Sequence, residues 1–81
     1  MSDMAVGTAT LTASADFYTV ASAFGFSPTA MVCIVAKPGS TDSNIFATLR
    51  DGTLTASGFT VDFSTAIPAS GYKLGYIVLG P

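Results

Sequence analysis

The stretch AMVCIVAKPGSTDSN, residues 30–44, decides how this chain has to fold. Met31 through Ala36 are six apolar residues in succession, followed by Lys37 and a Pro38-Gly39 turn signal. In a strand, successive side chains point to opposite faces, so a half-buried strand alternates apolar with polar. This one does not alternate. Both of its faces are built to leave water, and a short chain must find cover for two sides.

The chain has 81 residues, the size of one small domain. It reads as a single domain over 1–81, with 1–6 as an N-terminal arm. Hydrophobic residues make up 49% and charged residues 10%, against about a quarter charged in an ordinary soluble domain. That deficit predicts a surface that lies partly against protein. The cations are Lys37, Arg50 and Lys73, too few and too dispersed to track a phosphate backbone. The longest clean apolar runs fall far short of the roughly 20 residues that a membrane helix needs. The start, MSDMAVGTATLTASAD, has no basic region followed by an apolar core, so the chain is expected to be made in the cytoplasm without a secretory signal.

Helical periodicity is absent, while Thr, Val, Ile, Phe and Tyr recur between closely spaced Gly, Pro, Ser and Asp. That pattern predicts an all-β fold, a small antiparallel sandwich of about six strands. Strands are expected over 7–14, 17–26 (with Gly25 as a bulge), 31–37, 45–51 and 58–64, and finally over 72–80. A short extra strand over 53–56 follows a tight type I′ turn at Asp51-Gly52. Phe59, Val61 and Phe63 share one face of their strand, with Thr60, Asp62 and Ser64 on the other. Tyr76 to Leu79, like residues 31–36, is apolar on both faces. In a two-layer sandwich each sheet has one inner face, so the second face of these strands is expected to meet another copy. Met31, Cys33, Val35, Ile77 and Leu79 are the candidate oligomer-interface residues; the residues alone leave open which face is used.

The residues also resemble a known family. Phe24, Phe26 and Pro28 precede a buried strand containing Val32 and Ile34; a Gly-Phe strand follows (Gly58, Phe59, Val61, Phe63); the last strand carries Tyr72, Tyr76 and Ile77 and ends at Gly80. Over residues 8 to 80 this order is similar to the H-type lectin-like domain of invertebrate agglutinins and bacteriophage tail-fibre ends. The resemblance implies a six-stranded antiparallel sandwich, a homotrimer, and glycan binding at the end of the trimer. The family's last strand usually carries a Trp, where Tyr72 or Tyr76 stands here. The Ala/Ser/Thr/Gly-rich, charge-poor composition also looks like that of a phage virion protein.

Chemistry is thinly represented. There is no His, so Cys33 lacks a base to activate it as a nucleophile and reads as a core residue. A lone cysteine makes no intrachain disulfide. Without His or a Cys pair no metal site is expected, nor any cofactor, and no feature brings two Asp together as a catalytic pair. Asp51 reads as a turn former and Asp62 as solvated or paired with Lys or Arg. The chain therefore reads as a non-enzyme. The candidate ligand-binding residues are Thr41, Asp42, Ser43, Asn44, Arg50 and Tyr72. The first four offer short donors and acceptors suited to sugar hydroxyls, and Tyr72 offers a ring to stack on; the competing reading is a solvated hairpin loop. Two functions are expected. One is a trimeric fibre-tip module that touches host surface polysaccharide. The other is a capsid-decoration or tail-accessory protein that staples neighbouring virion proteins.

Overall fold

The computed structural model describes residues 3–39 and 44–81. Among them there are six strands and no helix: β1 Met4–Thr10, β2 Phe17–Ala21, β3 Ala30–Ala36, β4 Ala47–Leu49, β5 Gly58–Phe63 and β6 Lys73–Leu79. They form two three-stranded sheets, ordered β1-β6-β3 and β2-β5-β4, and every pairing is antiparallel. The all-β, two-sheet architecture expected from the short strands is therefore what the chain adopts.

The two sheets close on one core. Val20, Phe59, Val61 and Phe63 come from the β2-β5-β4 sheet, Leu74 and Val78 from β6, and Leu11, Ile45, Ile67 and Tyr72 from the connections. Alternation governs which residues enter. On β6, Leu74 and Val78 are buried while Lys73 and Ile77 point outward. One end of the core is aromatic. Phe59 stacks on Phe24, with centroids 6.2 Å apart, and meets the edge of Tyr76 at 5.1 Å. Gly7 makes room for this, because a Cβ there would collide with the Tyr76 ring and hydroxyl. Gly58 is required for a second reason. Its φ is +139°, and a Cβ would strike the Val20 carbonyl oxygen across the ladder.

Several boundaries differ from expectation. The first strand begins at Met4, not at residue 7, so Met4, Ala5 and Val6 are ladder residues rather than an arm; each pairs with β6. The segment expected over 17–26 is strand only as far as Ala21, although the Ser22 and Phe24 amides still donate to the Ser57 and Ala56 carbonyls. Beyond it the chain bends so that Phe24 and Phe26 can pack on the core, and Gly25 serves that bend with φ +82° rather than a strand bulge. The turn at Asp51-Gly52 exists, closed by the Thr53 amide donating to the Arg50 carbonyl at 3.2 Å. Gly52 has φ +76° and Asp51 does not have positive φ, which is the type II signature and not type I′. The strand expected over 53–56 reduces to one bridge, Thr55 to Gly58. There the Thr53 hydroxyl takes the place of a backbone partner: it donates to the Arg50 carbonyl at 2.7 Å and accepts from the Thr60 amide at 3.1 Å.

Candidate interaction surface

The double apolar character of β3 is resolved by one covered face and one open face. Met31, Cys33 and Val35 point into the sandwich and pack against its core. Val32 and Ile34 point out and are 59% and 63% exposed. The register places them in rows with β6 and β1. Met4, Leu79 and Ala30 form one row; Val6, Ile77 and Val32 the next; then Thr8, Gly75 and Ile34; then Thr10, Lys73 and Ala36. The first three rows are apolar apart from Thr8. The last ends in a cation whose ammonium donates to the Thr10 hydroxyl at 3.0 Å. Val6 is 66% exposed and Ile77 41%. Gly75 leaves a trough of about 290 Å³ beside Val32, Ile34 and Ile77.

The five candidate interface residues divide between the two faces of the sheet. Met31, Cys33 and Val35 face the sheet-to-sheet core and are not offered to a neighbour on a sheet face. Ile77 is exposed on the outer face, and Leu79 lies half-buried on that same face. Met4, Val6, Val32 and Ile34, absent from the expectation, complete the patch. Their signal was the phase of alternation: once Leu74 and Val78 are inward, odd positions of β6 and even positions of β3 must be outward.

The opposite sheet presents a different outer face. Thr19, Thr60, Asp62 and Thr48 lie across β2, β5 and β4, with Phe17 at one side. The Thr19 and Thr60 hydroxyls are 3.0 Å apart. Arg50 bonds Asp62 through Nε at 3.2 Å to each carboxylate oxygen and through a terminal nitrogen at 2.5 Å. Its guanidinium also lies 5.0 Å over the Phe17 ring. The Arg50 hydrogen bond holds the Asp62 carboxyl below the usual carboxylate range, and the same bond raises the guanidinium further. Asp62 is thus paired with Arg50, one of the two readings its residue type allowed.

Of the six candidate ligand residues, three lie among the described residues. Thr41, Asp42 and Ser43 lie outside the described residues. Asn44 is exposed and lines a groove of about 300 Å³ between β3 and the segment leading to β4. Arg50 is engaged with Asp62. Tyr72 is 1% exposed and belongs to the core, so its ring is not available for stacking on a sugar. Its burial follows from β6 alternation, which puts Tyr72 on the side of Leu74. Phe46, which is 70% exposed beside the groove, is the aromatic ring that solvent actually meets there. Burial also raises the Cys33 thiol above its ordinary value, and the thiol sits 3.7 Å from the Ala47 carbonyl.

No protein-family model matches this chain, and neither a curated protein nor a solved structure is significantly similar to it.

Proposed function

We propose that this chain is a non-enzymatic structural part of a virion that assembles by burying the outer face of its β1-β6-β3 sheet against further copies of itself. The observation that carries this reading is the apolar outer face. Met4, Val6, Val32, Ile34 and Ile77 leave uncovered a surface equivalent to roughly three fully exposed side chains. Covering it contributes about 4–9 kcal/mol per chain, which is of the order of the whole stability of a small domain. Contiguous apolar patches of this kind are seldom left open to water. The resemblance to H-type lectin-like domains supports a homotrimer, and with it a fibre tip whose exposed surface at Asn44 contacts host surface polysaccharide through several weak sites at once.

One observation favours the second reading, a capsid-decoration or tail-accessory protein that staples virion neighbours. Burial of Tyr72 and pairing of Arg50 with Asp62 remove two of the six side chains on which sugar binding was to rest. Light scattering on the purified chain, whose protomer mass is 8.2 kDa, tests assembly. A lone folded subunit at micromolar concentration refutes it. Binding of the oligomer to immobilised host polysaccharide, set against binding to undecorated capsids, separates the two readings.

A further inference from the structure

β3 stands at one end of the sheet order β1-β6-β3, and its edge is distinct from the outer face. The Gly80 amide donates to the Asp3 carbonyl and the Leu11 amide to the Tyr72 carbonyl. These two bonds set the phase of the ladder: even residues of β6 bond to β1, so odd residues bond to β3. On β3 the residues bonded to β6 are therefore Ala30, Val32, Ile34 and Ala36. The backbone amides and carbonyls of Met31, Cys33 and Val35 point the other way, along the edge of the sheet. None of them has a partner among the described residues. The edge borders the groove shared by Cys33 and Val35 on one wall and Asn44, Ile45 and Phe46 on the other. Edge strands are normally blunted by charge, Pro or a bulge; Ala30–Ala36 itself carries no charge and no Pro, with Pro28 two residues ahead of it and Lys37 directly after it.

The geometry points to antiparallel pairing of this edge with β3 of a second copy, about a twofold axis at Cys33. The segment is near-palindromic in chemical type around that residue: Val32 mirrors Ile34, Met31 mirrors Val35, and Ala30 mirrors Ala36. A twofold at Cys33 sets Met31 opposite Val35 of the other copy and Cys33 opposite Cys33. These are the residues whose backbone groups are unpaired, so the phase is correct for three hydrogen-bonded pairs and about six new bonds. On the outer surface Val32 meets Ile34, a favourable β-branched cross-strand pair. Lys37 falls opposite Thr29, so like charges do not meet. The other edge of this sheet, β1, lacks the symmetry: it carries Gly7, and its Met4, Val6, Thr8 and Thr10 do not mirror about a centre.

Amide hydrogen exchange of the full chain, labelled over a dilution series and read residue by residue by NMR, tests this pairing. Light scattering is run on the same samples. The expected result is that Met31, Cys33 and Val35 amides slow by at least about tenfold as concentration rises through association, joining Val32 and Ile34. An oligomer in which Val32 and Ile34 are slow while Cys33 and Val35 stay fast overturns the edge pairing and leaves the outer-face contact standing. Protection of the three amides that does not change with concentration, or a monomer throughout, also overturns it.

Discussion

Replacing Val32 and Ile34 together by Thr is the most direct probe of the outer face. Both side chains project from β3 into solvent, and Thr keeps the β-branched shape that suits a strand. The isolated subunit should therefore be almost unaffected, as for most surface changes, within about 0.5 kcal/mol per site. Association should not be. Val32 and Ile34 retain 59% and 63% of their accessible surface. Covering each contributes about 1–2 kcal/mol, taking that fraction of the value for a fully buried aliphatic side chain. The hydroxyls forfeit this and add a desolvation cost of their own. The pair is then worth about 2–4 kcal/mol per chain, or about 30- to 1,000-fold in the association constant for each chain contributing the face. Sedimentation velocity across a concentration series reads the shift, and a thermal melt of the dissociated subunit checks the fold. A double variant that associates as tightly as the parent chain refutes the assignment of this face.

Other consequences can be measured in the same preparations. Gly58→Ala forces a Cβ against the Val20 carbonyl at a left-handed φ of +139°; a loss of about 3 kcal/mol or more is expected, lowering the melting temperature by about 12 °C or more for a domain of this size. Arg50→Gln removes the partner that depresses the Asp62 carboxyl. The stabilisation belongs to the ionised carboxylate, so it is present above the ordinary Asp pKa of about 3.9 and is lost as pH falls through the lower folded value. Parent and variant should therefore differ near neutrality and converge in acid, and a gap that widens in acid contradicts the pairing. Cys33, its thiol raised by burial, should alkylate more slowly than free glutathione at pH 7 and accelerate as the solution is made alkaline; labelling as fast as glutathione at pH 7 contradicts the burial.

The division of labour between sequence and tertiary structure is clearest on β3 and β6. Period-2 alternation, β-branched content and closely spaced turn residues depend only on neighbours along the chain, so an all-β chain of short antiparallel strands is legible in the sequence alone. So is the surplus of apolar surface, since two strands are apolar on both faces. Which face stays open was not legible in β3, because a run of six apolar residues carries no phase of its own. The phase comes from the partner: register with β6, whose Leu74 and Val78 are held inward by the core, turns Val32 and Ile34 outward. Tyr72 illustrates the same limit. A tyrosine near a strand end reads equally as a ring for a ligand or as core, and only closure of the two sheets over Leu11 and Ile67 buried it. The pairing of Arg50 with Asp62 over Phe17 likewise joins residues of β5 and β2 with the residue that follows β4, a juxtaposition set by sheet order and not by spacing along the chain. Local pattern thus determined the kind of element and the amount of apolar surface. Long-range pairing decided its direction, because a one-residue change of register exchanges every inward side chain for an outward one.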